Sequence, residues 1–293
     1  MKKNIILVTG GAGFIGSNLI RYLLKKTNKK IISIDNYFSG FESNHIKNKR
    51  VTYIKSSTIN IENKLKIYRN KIFVAFHFGE FSRIVQSFKF IQRCIKSNLL
   101  GTYEVINFCS KNKIKLIYSA SSSKFGNDGK DEHLSPYSWT KSKNIEIIKN
   151  FKKWFGLRYE IVYFYNVYGE NHIKNHKMAA VIGIFEHAYE KRLPLTVVRP
   201  GNQKRDFTHV SDIVNGCYLA MKKGKNNEYL LGTGKQLTIL EVAKLFKSKI
   251  KFIPKRQGER ISSFYKNNLA YKHLRYKSKI KLKDYIKKFI KKL

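Results

Sequence analysis

Tyr137 and Lys141 stand four residues apart in the run Ser135-Pro136-Tyr137-Ser138-Trp139-Thr140-Lys141. Pro136 suits the first position of a helix, and i, i+4 spacing puts the phenol and the ammonium on one helix face. A free phenol ionises near pH 10, which makes it a poor base at neutral pH. A lysine one turn away favours the phenolate, so the pair is a candidate general base. Alone the pattern is weak, because tyrosine and lysine meet at this spacing by chance on any lysine-rich helix. Upstream, Tyr118-Ser119-Ala120-Ser121-Ser122-Ser123 follows an apolar strand. A hydroxyl from that run would bond a substrate oxygen beside the tyrosine.

A second constellation lies at the start of the chain. TGGAGFIGS, Thr9 to Ser17, follows the apolar run Ile5-Ile6-Leu7-Val8 and leads into a stretch with apolar residues at helical spacing. Strand, glycine turn and helix in that order make a phosphate site. Gly10 allows the tight turn, Gly13 lets a pyrophosphate approach the backbone, and Gly16 lets the helix pack against its strand. Phe14, Ile15 and Gly16 then offer free N–H groups and the positive end of the helix dipole. The next apolar run, Ile31-Ile32-Ser33-Ile34, ends in Asp35, about 20 residues on, at the spacing of a ribose-binding acid. A carboxylate there accepts from ribose hydroxyls and repels a 2'-phosphate, so the expected cofactor is NAD rather than NADP. Its cationic nicotinamide ring would also favour the phenolate of Tyr137.

These residues need a scaffold. Val51–Lys55, Ile72–Phe78, Lys115–Ser119 and Tyr159–Phe164 read as further strands, with helical patterns between them, clearest at Ile91–Ser110 and Pro136–Phe155. Such alternation predicts an α/β fold, a doubly wound parallel sheet of Rossmann type. After Asn166 the pattern turns to short strands and loops. The expectation is an NAD-binding domain over residues 1–165 and a smaller C-terminal α/β substrate lobe over 166–293, with about 205–224 returning to pack on the first domain. Leu282, Tyr285, Ile286, Phe289, Ile290 and Leu293 form a helical apolar stripe with lysines opposite. Docking on the fold is the expected use of that stripe, with an anionic lipid surface as the alternative.

In 293 residues, 42% of them hydrophobic, no apolar run approaches the length of a membrane span. The start, Met1-Lys2-Lys3, is committed to the first strand rather than to a signal peptide. Cys94, Cys109 and Cys217 match no metal or redox spacing, and a cytoplasmic location is expected. His172 and His176 are four apart but fall on a loop, and no metal site is expected. The net charge of +40 is spread along the sequence with no nucleic-acid-binding signature beside it. It reads as heavy lysine usage rather than a nucleic-acid partner, and its field would attract a phosphate-bearing substrate.

From Thr9 to about Arg260 the chain resembles the extended short-chain dehydrogenase/reductases, and among them the nucleotide-sugar epimerases such as UDP-galactose 4-epimerase. TGGAGFIGS is similar to the family's glycine loop, and Asp35-Asn36 through Gly40 to its ribose-binding turn. His77-Phe78-Gly79 resembles the segment along the cofactor, and Asn98 with Gly101-Thr102 the N-x-x-G-T that follows. Ser121, five residues before Gly126, falls on the catalytic serine, and Tyr137 with Lys141 on the catalytic pair. Phe164 to Gly169 is similar to YFNVYG, whose asparagine, here Asn166, touches substrate. Arg205-Asp206-Phe207 with His209-Val210-Ser211-Asp212 resembles RDF-x-H-V-x-D, and Arg256-Gln257-Gly258-Glu259 the late R-x-G-E. Departures are Ser56-Ser57 for the usual Gly-Asp near adenine, Gly79-Glu80 after His77, Phe125 for a tyrosine, Tyr163 before the YFN position and Glu170 after Gly169. Glu80 is expected either to touch the substrate or to point away.

The resemblance implies an NAD-dependent nucleotide-sugar epimerase working through a transient 4-keto sugar. Tyr137 takes the proton of the 4-hydroxyl, Lys141 holds the cofactor ribose and supports the phenolate, and Ser121 bonds the reacting oxygen. Gly10, Gly13, Phe14, Ile15, Gly16, Asp35, Asn36, Ser57, Phe78, Gly79 and Asn98, with Tyr137 and Lys141, are the implied cofactor residues. Ser122, Asn166, Arg205 and Arg256 are the implied substrate residues, with the two arginines on the diphosphate. His77 is expected to be a satisfied residue at a strand end. A homodimer through the two clearest helices is also implied. A 4,6-dehydratase, or another extended short-chain reductase acting on a nucleotide sugar, is the alternative, although the dehydratases carry Thr-Asp-Glu where this chain has Ser121-Ser122-Ser123. A non-catalytic NAD-binding protein is the second.

Overall fold

Every apolar run of the first half forms a strand of one parallel sheet in a computed structural model, which describes residues 3–125, 132–262 and 267–293. The strands, in chain order, are β1 (Ile5–Thr9), β2 (Lys30–Asp35), β3 (Val51–Lys55), β4 (Ile72–His77), β5 (Lys115–Ser121), β6 (Tyr159–Phe164), β7 (Asn166–Tyr168), β8 (Leu195–Val198), β9 (Lys204–His209), β10 (Glu228–Leu231), β11 (Gln236–Thr238) and β12 (Ile250–Ile253). Seven of them form the main sheet in the order β10-β6-β5-β4-β1-β2-β3, and all of its pairings are parallel.

The continuous apolar runs follow from burial on both faces. Ile5 and Leu7 of β1 enter one core layer, while Ile6 and Val8 enter the other. All four are under 5% exposed, and full burial of each such side chain contributes roughly 1.5–3 kcal/mol. Strand order reverses at β1, where Thr9 pairs with Ile34 on one side and His77 on the other. A crevice opens at that switch point, beyond the carboxyl ends of the strands.

The helix Pro136–Phe155 starts and stops where its sequence says. Ser135 caps it by accepting from Ser138 N at 3.1 Å, and Gly156 ends it with φ +68°. The other long pattern is interrupted. Ile91–Ile95 and Gly101–Lys111 are α-helical, with a π-helical turn at Lys96–Leu100 between them.

The remaining strands build a second lobe. β9 pairs antiparallel with β11 and parallel with β7, and β12 pairs with β8. Its own core holds Phe185, Leu195, Val197, Phe207 and Phe246. The C-terminal helix Leu282–Ile290 docks there: Leu282 and Ile286 are buried, and Tyr285, Phe289 and Ile290 pack against the same cluster. The apolar stripe is therefore occupied, while Leu293 stays exposed.

The return to the first domain is larger than expected, and its start differs. Lys204–His209 joins the second lobe's sheet. Val210–Lys223 is a helix whose Val210, Ile213, Val214, Cys217 and Ala220 enter the core of the main sheet. β10 then adds the seventh strand beside β6, and Ala270, Leu274 and Tyr276 join the same core. Two carboxylates clamp these crossings. Asp206 accepts from the backbone of Thr233 and Gly234, and Asp212 from that of Lys279 and Ile280.

Candidate active site

Gly10 leaves β1 with φ +74°, the left-handed region that favours glycine. A Cβ there would lie 2.7 Å from Gly79 N, and one on Gly16 only 2.1 Å from Gly10 O. The loop can therefore close only without side chains. Gly13 is the N-cap of the helix Phe14–Lys26, no side chain caps it, and its first turn carries no acid. The first N–H groups are left for an anion. Asp35 ends β2 with Oδ2 accepting from Ala12 N at 3.0 Å and Oδ1 from Tyr37 N at 2.8 Å. Burial pushes its carboxyl above the usual range, and those N–H groups pull it back.

A cavity of about 600 Å³ runs from this loop to the second lobe, within the usual range for a ligand pocket. Gly10, Gly13, Phe14, Ile15, Gly16, Asp35, Asn36, Phe78 and Gly79 line one end. Ser121, Ser122, Tyr137 and Lys141 line its middle, and Asn166, Arg205 and Arg256 the far side. Two expected residues are not brought to it. Ser57 Oγ caps a short 3-10 turn by accepting from Ile59 N, and Ser56 and Thr58 face the cavity instead. Asn98 is fully buried in the π turn. Its Oδ1 accepts from Phe81 N at 2.7 Å and its Nδ2 donates to Phe81 O at 3.1 Å, so it shapes the cavity wall from behind.

Ser121 is the last residue of β5. Tyr137 opens the long helix, with its N–H donating to Ser87 Oγ and its ring against Phe81, Cys94 and Met178. One turn on, Lys141 departs from expectation. Its ammonium pairs with Glu80 and donates to Ser119 O at 2.6 Å, over the face of Tyr118. Glu80 lines the cavity, but its carboxylate is turned to Lys141 in the wall: its side chain is 1% exposed and that of Lys141 6%. Its Oε1 also accepts from Thr102 Oγ1 at 3.2 Å, Tyr118 Oη at 3.1 Å and Asn144 Nδ2 at 3.0 Å. Burial raises the Glu80 carboxyl, while the lysine ammonium, Tyr118 and Thr102 draw it down. With four donors aimed at it, we take it as the carboxylate. Residue types alone did not reveal this group; the signal was an acid at the exit of an apolar strand.

His77 completes the network as a satisfied residue. Nδ1 meets Thr9 Oγ1 at 2.7 Å and Nε2 meets Thr102 Oγ1 at 2.8 Å. Because the Thr102 hydroxyl donates to Glu80, its oxygen accepts from Nε2–H. Nδ1 then accepts from Thr9, whose oxygen takes the N–H groups of Phe78 and Gly79. Burial pulls the imidazole down to about 3, so it is neutral. Of the paired histidine motif, His172 is bonded to Glu186 at 2.9 Å, and His176 Nδ1 accepts from Met178 N.

Across the cavity, Arg205 and Arg256 are brought together by Glu259, whose two oxygens lie 3.6 Å and 3.1 Å from them. Arg205 is 7% exposed and also donates to the carbonyls of Lys204 and Arg260. The departures elsewhere are core features: the Phe125 ring packs tilted at 48° against that of Tyr163, with centroids 4.7 Å apart, and Tyr163 donates to Glu228. Gly126 lies outside the described residues.

The chain as a whole is similar to known nucleotide-sugar enzymes. A putative UDP-glucose 4-epimerase of Methanocaldococcus jannaschii is 30% identical over 98% of this chain and 97% of its own. The crystal structure of UDP-glucose 4-epimerase from Thermotoga maritima with UDP-glucose superposes with a TM-score of 0.90, at 26% identity, covering 98% of this chain and 97% of that one. UDP-glucuronic acid 4-epimerase from Bacillus cereus, solved with UDP-glucuronic acid and NAD, gives 0.87 at 25% identity, covering 98% and 99%. The family's cofactor is NAD, and the open helix N-terminus, the side-chain-free loop and Asp35 fit it. With residues 6–232 matching the family as a whole, from the glycine loop through the tyrosine–lysine helix to the seventh strand, the chain belongs to the NAD dependent epimerase/dehydratase family.

Proposed function

We propose that this protein is a nucleotide-sugar 4-epimerase. The observation that carries the reading is the convergence of Ser121, Tyr137 and Lys141 on the same cavity as the glycine loop and the two arginines. Bound NAD supplies the acceptor and donor of the hydride. Tyr137 takes the proton from the sugar's 4-hydroxyl and returns it after the transient 4-keto sugar has turned over. Ser121 bonds the reacting oxygen, and Ser122 and Asn166 bond the sugar. Lys141, with two of its three N–H bonds spent on Glu80 and Ser119, offers the third to the cofactor ribose. Arg205 and Arg256 take the diphosphate, whose charge competes with Glu259 for their guanidinium groups. The relatives' UDP substrates favour a uridine nucleotide.

A 4,6-dehydratase needs acid–base groups beside the reacting sugar to expel the 6-hydroxyl. The carboxylates lining the cavity among the described residues are Asp35, Glu80 and Glu259, and each is engaged elsewhere. The test is a panel of UDP-, GDP-, dTDP- and CDP-sugars read by mass spectrometry and NMR. Epimerised product of unchanged mass is expected, and loss of water from the sugar would establish the dehydratase instead. We propose a homodimer through the helical stretches near Ile91–Ser110 and Pro136–Phe155, in keeping with the exposed Tyr103, Trp139, Trp154 and Phe155 on them.

A further inference from the structure

Arg83 lines the cavity, and the proposed reaction makes no use of it. It stands just before the short helix Ile84–Lys89. Its Nε donates to Met178 O at 2.6 Å and its Nη1 to Ser82 O at 2.7 Å. The rest of its N–H groups, those of Nη2 among them, are left to the cavity. The residue is only partly exposed, and burial pulls its guanidinium below the usual range. A cation taken out of water needs a counter-charge. The carboxylates lining the cavity among the described residues are Asp35, Glu80 and Glu259, and none serves. Asp35 accepts from the backbone of Ala12 and Tyr37. Glu80 pairs with Lys141, and Glu259 lies with Arg205 and Arg256.

The position of Arg83 selects the part of a ligand that would meet it. Ser87, on the same short helix, accepts from Tyr137 N at 3.3 Å. Met178, whose carbonyl holds Arg83, belongs to the apolar cluster against which Tyr137 packs. Arg83 therefore sits on the wall that carries the proposed base. The glycine loop at one end suits the cofactor's pyrophosphate, and Arg205 with Arg256 across the cavity suits the substrate's diphosphate. The part of the substrate held beside Tyr137 is the sugar.

We propose that Arg83 is the subsite for a carboxylate on the sugar, so that the substrate is a uridine nucleotide of a uronic acid. A planar guanidinium matches a carboxylate in charge and in the spacing of its donors, as it does not match a sugar hydroxyl. The inference rests on the nucleotide-sugar reading and narrows its substrate class.

The test is calorimetry on the NAD-bound protein with UDP-glucuronic acid, UDP-glucose and UDP. The two sugars differ at carbon 6, a carboxylate in one and a hydroxymethyl in the other. UDP-glucuronic acid should bind more tightly than UDP-glucose by about tenfold or more, as a bond between charged groups provides. Equal or weaker binding of the sugar acid overturns the proposal and leaves the nucleotide-sugar reading standing; that comparison needs no variant. If none of the three ligands binds, the reading falls and the inference with it. Arg83→Gln keeps a donor for Met178 O and removes the charge. The advantage of the sugar acid over UDP-glucose should then shrink by about tenfold. The substitution removes one charge from a net +40, so a general attraction for anions would survive it. An advantage that persists in Arg83→Gln, even with both sugars bound less well, makes Arg83 a brace for Met178 and overturns the proposal.

Discussion

Tyr137→Phe keeps the ring among Phe81, Cys94 and Met178 and deletes the one hydroxyl proposed to move the proton. Positioned acid–base groups contribute about 100- to 10,000-fold in rate. We expect turnover to fall by that order while calorimetry shows NAD and sugar-nucleotide binding retained; near-wild-type epimerisation would reject Tyr137 as the base. Arg205 and Arg256 differ in surroundings, one buried and one about half exposed. Changing either to Ala should weaken sugar-nucleotide binding by about 1.5–3 kcal/mol, the range for bonds to a charged group. The loss should be the more uniform for Arg256, because Arg205→Ala also removes bonds to Lys204 and Arg260. Isothermal titration with NAD serves as the control, since neither arginine lies at the glycine-loop end.

At the level of elements, the site depends on how closely the first helix approaches its own strand. A methyl group on Gly16 would meet backbone atoms, Gly10 O at 2.1 Å and Gly11 Cα at 2.8 Å. Backbone cannot rotate aside as a side chain can. Gly16→Ala should therefore cost about 1–3 kcal/mol of stability, as overpacking does, and lower NAD affinity by roughly tenfold or more, since 1.4 kcal/mol is a factor of ten. Denaturant melts and fluorescence titration with NADH would measure the two effects. An unchanged NADH affinity would mean that the loop binds nothing. The interrupted helix belongs to this scale too. Its π turn carries Asn98, which holds Phe81 by both backbone groups and so aligns the segment that presents Glu80.

For the molecule as a whole, burial of His77 links folding to pH. The unfolded imidazole binds a proton near 6.5, and the folded one only near about 3. The unfolded chain therefore holds the extra proton between those values, so stability is full above 6.5 and declines as pH falls towards 3. Between pH 7 and pH 5 this residue alone should remove about 2 kcal/mol. Urea unfolding of His77→Gln should lack that increment, and equal slopes for both proteins would exclude it. In solution the proposed dimer should run at twice the chain mass of 34.3 kDa by light scattering. Trp154→Glu, on the exposed side of the long helix, should shift it to the monomer; a wild-type monomer would refute the assembly. Among the described residues no helix is long and apolar enough to cross a membrane.

The local features were legible before the structure because their causes are local. Apolar runs buried on both faces, Ser135 and Gly156 at the ends of one helix, and glycines required where a helix meets its strand all depend on near neighbours in sequence. So do Asp35 at a strand end and the tyrosine–lysine spacing. The partners of Glu80 are not local: Lys141, Tyr118, Thr102 and Asn144 come from three later elements, and only the order of strands brings them together. β10 was missed for a similar reason. Four residues at the edge of a sheet, reached after a whole second lobe, leave too short a pattern to be read. Asn98 and Ser57 show the limit of motif spacing, since a π turn rotates one inward and a 3-10 cap turns the other aside. The sequence by itself determined the sheet, the glycine turn and the spacing of the tyrosine–lysine pair. Tertiary packing alone decided that the lysine of that pair is shared with a buried carboxylate, because a charge can be kept inside a fold only where another chain segment supplies its counter-charge.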